Sequence, residues 1–244
     1  MKLSRAILNT AMMSAAVMAF AGASLADPVV DNLVGNVDAA GLLSPPPAPG
    51  SAQEQTELRR LRVIMLHRTA EQLAQAQWDA EHDDASAFAA LLTPDSDLQR
   101  MPATAHLLDI VGDAADAAAG KAKAVFNRTR PYVLDPSLVG CPRSPTSPNP
   151  SYPSGDATIG WAQAEVLADL EPDRAAAFEA RGAELAQHRL VCSLHFPSDV
   201  EAGRILGIAI AKAVLASPEL RSEIEAAKAE LAAAPRLAPP APHP

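Results

Sequence analysis

Proline placement limits this chain more than any other feature. Four prolines fall in Ser44-Pro45-Pro46-Pro47-Ala48-Pro49-Gly50, six lie between residues 132 and 153, and a last group closes the chain. Proline locks φ and lacks an N–H, so none of these stretches can be a helix interior or a central strand. The segments between them are rich in alanine, and Phe, Trp and Tyr together make up only 4% of the chain. Such segments form helices that pack closely on small side chains. No strand-like alternation persists and no internal repeat is present. The fold class expected is all-α, a single-domain helical bundle.

Residues 1–26 read as a secretory signal peptide. Lys2 and Arg5 give a positive start, Ala11 to Phe20 is apolar, and Ser24-Leu25-Ala26 supplies small residues for cleavage. Neither this stretch nor any later one reaches the ~20 apolar residues of a membrane span. Residues 27–50 read as a Pro-rich extended arm with polyproline II character. Residues 51–233 form the helical domain and 234–244 a disordered tail. Ser51 and Glu54 make a capping-box pair at the head of the first helix. Further helices are expected over 70–78, 86–92, 97–126 (as one or two), 155–170, 173–194, 198–215 and 218–233. The stretch 132–153 is a long irregular loop, and loops of that length are usually functional.

The formal charge is −9, and −11 once residues 1–26 are removed, because that segment carries Lys2 and Arg5 and no acid. A domain this acidic gains nothing from nucleic acid or an anionic membrane. Any anionic substrate must be drawn to a local cluster of Lys and Arg, so the positions of the few basic residues are informative. Two cysteines in an exported chain, Cys141 and Cys192, suggest one disulfide, with two buried thiols as the alternative. Trp78 and Trp161 read as packing residues, His67 and His82 as exposed, and Asp83-Asp84 as a solvated turn.

Three short segments stand out. The first runs from Lys123 through six residues to Arg130-Pro131. The second is Tyr152-Pro153-Ser154-Gly155-Asp156. The third is Arg189, five residues, His195, three residues, then Asp199. Each is weak alone: a Lys and an Arg seven apart share a helix face about two turns apart. Ser154 can be no more than an N-cap, and a His four before an Asp can be a structural hydrogen bond.

Together the three resemble the signature of the superfamily that holds type 2 phosphatidic acid phosphatases, class A acid phosphatases and vanadium haloperoxidases. That signature is Lys-x6-Arg-Pro, Pro-Ser-Gly-His and Ser-Arg-x5-His-x3-Asp. Here the first part is complete, the second ends in Asp156, and the third has His188 before Arg189. The wider context looks like a bacterial class A acid phosphatase: the proline run before the first helix, Ser-Tyr-Pro-Ser-Gly at 151–155, and Cys-x2-His-x2-Ser-Asp-Val at 192–200. The resemblance covers residues 40–215 and implies that family's helical fold and a periplasmic, metal-independent phosphomonoesterase with no cofactor.

Phosphoryl transfer is catalysed by positioning and charge stabilisation. Arg130 and Arg189 offer planar forks and Lys123 a point charge. Ser154 and Gly155 start a helix whose N–H groups face an anion, with glycine allowing close approach. The resemblance makes His195 the nucleophile and Asp199 the group that holds its other ring nitrogen. Ser198 and Glu201 read as a capping box that fixes Asp199 in a first turn.

Asp156 takes the place of the family's general-acid histidine. A carboxyl titrates near ~3.9 and an imidazole near ~6.5; cationic neighbours lower the former, and a bound phosphate dianion raises it. Three readings follow: a working acid at lower pH, activity on good leaving groups only, or a phosphate-binding homologue without turnover. A vanadate-dependent haloperoxidase is a further alternative. The partner is a small phosphate monoester, and a homo-oligomer is compatible with the sequence.

Overall fold

The computed structural model describes residues 28–142 and 150–234, and these residues contain helices and no strand. The signal peptide expected at 1–26 lies outside them, as does the expected tail beyond Ala234. The arm expected to be extended over 27–50 is helical in its first half: α1 (Pro28–Gly35) and α2 (Ala39–Leu42) precede the proline run. Val30, Leu33 and Val34 recur at helical spacing and are buried. That apolar stripe outweighs the extended tendency of the prolines downstream. Asp38 caps α2, its carboxylate accepting from the Gly41 N–H at 2.9 Å.

The chain continues as α3 (Ala52–His67), α4 (Ala70–Glu81), a 3₁₀ turn at Ala85–Phe88, α5 (Ala89–Leu92) and a second 3₁₀ turn at Leu98–Arg100. Then come α6 (Pro102–Phe126), α7 (Pro131–Leu134), α8 (Gly155–Leu170), a 3₁₀ turn at Pro172–Arg174, α9 (Ala175–Val191), α10 (Pro197–Ala216) and α11 (Arg221–Ala233). Ser51 accepts from the Glu54 N–H at 3.2 Å, but Glu54 reaches past Ser51 to the Gly50 N–H at 2.7 Å. The stretch 97–126 gives the 3₁₀ turn and then one long helix, α6, which runs through Gly112 and Gly120. The α9 helix ends at Val191, earlier than expected, because Ser193 takes a left-handed φ of 57°. Cys192 is joined to Cys141 by a disulfide with Cα atoms 4.8 Å apart.

Helix α8 is the centre of the bundle. Ala157, Thr158, Ala162, Ala164, Val166 and Leu167 are all inaccessible to solvent, as a helix apolar on every face must be. It packs against α6, α9 and α10. Small residues make the α8–α10 approach: a Cβ on Gly203 would stand 2.8 Å from the Ser154 carbonyl oxygen, closer than real Cβ contacts. The approach also joins the two helix starts, since the Ser154 N–H donates to the Asp199 carbonyl at 3.0 Å. Fully burying each large apolar side chain in this core, such as Leu167, Leu206 or Ile210, contributes about 1.5–3 kcal/mol.

Candidate active site

Four helix ends meet beside α8. Lys123 sits in the last turn of α6, which Asn127 closes with a left-handed φ of 44°. The chain then runs through Arg128 and Arg130 to Pro131, the first residue of α7. Ser154 caps α8, accepting from the Ala157 N–H at 3.4 Å. The next residues, Gly155 and Asp156, lie in the first turn, where N–H groups have no acceptor within the helix. Arg189 lies in the last turn of α9, and His195 in the turn before α10.

His195 is 1% exposed. Its Nδ1 bonds the Ser151 carbonyl oxygen at 2.9 Å. A carbonyl only accepts, so Nδ1 carries the proton and Nε2 keeps its lone pair, 2.8 Å from Arg130 Nη1. Burial, with Arg130, Arg189 and Lys123 nearby, holds the imidazole well below its ordinary pKa, against the pull of the Ser151 carbonyl. A neutral imidazole with an outward lone pair is a nucleophile.

The cations close over the same point. A Cβ on Gly155 would stand 3.1 Å from Lys123 Nζ and 3.5 Å from Asp116 Oδ1. Burial and then Arg130 lower the Lys123 pKa, while Asp156 and Asp116 raise it. Arg130 also donates to the Leu194 carbonyl at 3.0 Å. Arg189 is 7% exposed; its Nη2 pairs with Asp156 at 2.6 Å, but Nε and Nη1 are buried with no partner. Buried donors left open cost free energy unless an acceptor arrives.

Three comparisons bear on this arrangement. Residues 108–223 match the PAP2 superfamily. A non-specific acid phosphatase of Providencia stuartii is 32% identical over 80% of this chain and 82% of its own length. An acid phosphatase of Zymomonas mobilis is 32% identical over 78% of this chain and 74% of its own. The chain belongs to the PAP2 superfamily. A bacterial vanadium-dependent iodoperoxidase shares the fold, with a TM-score of 0.55 and 19% identity over 73% of this chain; the match spans 53% of the iodoperoxidase.

Within this PAP2 chain the structure brings Lys123, Arg130, Ser154, Gly155, Arg189 and His195 together around the start of α8, with Asp156 paired to Arg189. Two sequence expectations need correction. Asp199 does not hold His195 Nδ1, from which its Oδ2 is 3.5 Å away, because the Ser151 carbonyl stands nearer. Asp199 instead accepts from Arg128 Nη1 at 2.6 Å, Ser151 Oγ at 2.5 Å and the Phe196 N–H at 2.8 Å. Burial pushes its carboxyl up to about 6 against those partners. Nor does Ser198 cap α10: Pro197 takes the first helical position, Asp199 reaches back to Phe196, and Glu201 pairs with Arg204 at 2.7 Å.

Sequence reasoning missed Arg128, Glu57 and Ser151. Arg128 is buried over the Phe196 ring at 3.8 Å and bridges Asp199 to Glu57 of α3 at 2.9 Å. Its signal was present, a second arginine inside the Lys-x6-Arg gap, whereas Glu57 had none. His188 turns away to Asp79 of α4, 2.5 Å from it. His82, expected to be exposed, is half-buried and stacks on Trp78 at 4.0 Å between centroids. Among the described residues no group of three or more His, Cys, Asp or Glu side chains is placed to hold a metal ion, and no helix is long and apolar enough to cross a membrane.

Proposed function

We propose that this member of the acid phosphatase branch hydrolyses small phosphate monoesters in the periplasm through a phosphohistidine on His195, without metal and without nucleic acid or membrane as partner. The observation that carries this reading is Arg189: two buried, unpartnered nitrogens beside a neutral His195 with its lone pair outward. The equatorial phosphate oxygens take the Arg189 fork, Lys123 Nζ and the N–H groups that open α8. Arg130 steadies Nε2 until phosphorus approaches it. Nε2 then forms the N–P bond, the ester P–O bond breaks toward the leaving oxygen, and water later cleaves the phosphohistidine. These charges act in a desolvated pocket, where they are worth more than in water.

Hydrolysis of p-nitrophenyl phosphate is measured from about pH 3 to 8 for wild type and Asp156→His. Activity peaking in acid, with the optimum moved upward in the variant and no effect of a chelator, supports the reading. Inhibition by EDTA that added metal reverses refutes metal independence. One observation favours a second reading, phosphate binding without turnover: Arg189 Nη2 already holds Asp156, the group in the acid's place. Absence of wild-type activity with rescue by Asp156→His would establish it.

A further inference from the structure

Helix α6 turns a line of carboxylates outward. Asp109, Asp113 and Asp116 recur at helical spacing, so they share one face and span about 10 Å along it. The turn after α4 brings Asp83 and Asp84 to the same face. The five acids line an open groove of about 470 Å³ with Ile159 and Gln163 of α8. All five are exposed, and none forms an ion pair with a lysine or arginine of the described residues. Asp84 caps the 3₁₀ turn that follows it, accepting from the Ser86 N–H at 2.8 Å. Partial desolvation, then the charges of Asp84 and Asp113, raise the Asp109 carboxyl above its usual range, and His106 opposes them. Like charges held this close repel one another, and a cation among them would relieve the repulsion.

Two features separate this groove from an ordinary solvated face. The first is its floor. Gln163 is 1% exposed; its Nε2 donates to the Leu108 carbonyl at 3.1 Å, while its Oε1 is buried without a partner. Gly112 borders the same amide, and a Cβ there would stand 3.4 Å from Gln163 Nε2. The missing side chain leaves room beside the amide on the groove side. A buried acceptor left open costs free energy until a donor arrives. The second feature is the inner end. Asp116 Oδ1 stands 3.5 Å and Lys123 Nζ 3.1 Å from the point a Cβ on Gly155 would occupy, so the groove begins beside the phosphate site. Its carboxylates are spread over two elements and are not placed to converge on a metal ion. A flexible organic cation suits that spread.

We propose that the groove is the subsite for the leaving group, and that it selects phosphate monoesters whose alcohol carries a protonated amine. This rests on the phosphatase reading above. With the phosphate on Arg189, Lys123 and the start of α8, an alkyl chain that leaves past Asp116 runs along α6. Its ammonium then lies among Asp84, Asp109 and Asp113, with one N–H for Gln163 Oε1. An ammonium has three donors and no acceptor, which matches carboxylates and an amide oxygen. The same carboxylates discriminate against esters with a second anionic group, which would face them across the groove.

The test is kcat/KM for ω-aminopentyl phosphate against ω-hydroxypentyl phosphate, a neutral alcohol of the same length. Wild type should prefer the amine by about 10-fold at low salt and by less than about 3-fold near 1 M, where screening acts within about 3 Å. Asp109→Asn with Asp113→Asn should remove most of that preference and leave the hydroxy ester and p-nitrophenyl phosphate unchanged. Gln163→Leu removes the open acceptor but no charge, and should lower the preference by about 3-fold at low salt. Asp169→Asn with Asp173→Asn removes the same charge at the far end of α8 and should leave the preference as it is. Equal rates on the two esters in wild type overturn the proposal. So does a preference that survives in the groove variant or in Gln163→Leu, or one that falls equally in the two double variants. Wild type that hydrolyses neither ester refutes the phosphatase reading instead. The ratio of calorimetric Kd values for the two esters, with the same variants, then decides the groove.

Discussion

The two sides of the α8 N-terminus carry opposite charge under opposite conditions. On one side Lys123, Arg189 and His195 are buried and anchored by hydrogen bonds or close contacts to the surrounding helix ends. On the other, Asp84, Asp109, Asp113 and Asp116 stand in an open groove. Exposed charges are screened within about 8 Å at physiological salt, whereas buried ones are screened much less. A chain of net −9 can therefore hold an anion, because its few desolvated cations outweigh its many solvated acids. Net charge describes the surface, and the site answers to burial.

The buried side depends most on His195. His195→Ala should lower kcat on p-nitrophenyl phosphate by about 10⁴-fold or more with the far-UV circular dichroism unchanged; retention of turnover would remove the phosphohistidine step. Arg189→Ala should cost about 10²–10³-fold in kcat/KM. Arg189→Lys should recover little of it, because an ammonium cannot reproduce the fork; full rescue would mean that charge alone matters there.

Arg128→Ala tests how the buried side is held together. It leaves Glu57 and Asp199 in the interior without their shared cation, so urea denaturation should show a loss of about 3–5 kcal/mol. A change below about 1 kcal/mol would show the pair to be solvated, as surface pairs are. Asp113→Asn, in the open groove, should alter stability by less than about 0.5 kcal/mol.

Acid sharpens the contrast. The folded pKa of His195 lies below its unfolded value, so the unfolded chain binds the extra proton first. This group's contribution is complete above about pH 6.5 and is lost as pH falls below it. Asp199 works the other way: with a folded value of about 6, its contribution is present below about pH 4 and lost as pH rises toward 6. The urea midpoint of His195→Gln should accordingly fall less between pH 7 and 5 than that of wild type. An equal fall in the two proteins would show that His195 protonates in the folded state.

Much of the bundle was legible because alanine-rich segments between proline clusters leave only helices. The α8 and α10 boundaries fall within a residue of those expected: Ser154 caps α8 as read, whereas α10 starts at Pro197 and not on the capping box expected at Ser198. The amino-terminal helices were misread because Pro45–Pro49 dominates the composition while Val30, Leu33 and Val34 find their partner, α6, far along the chain. The residues proposed to grip the anion were visible as spacing. Glu57 was not, because an acid on a polar helix looks the same whether it faces water or a buried cation.

Local propensity, and residue type at fixed spacing, were enough for the helical class, the family signature and the side chains proposed to grip a phosphate. The tertiary structure decided which carboxylate serves which partner. It gave Asp199 to Arg128 instead of His195, and Asp156 to Arg189. Such pairings depend on distances of a few ångströms between helices remote in sequence, and on desolvation that only packing imposes.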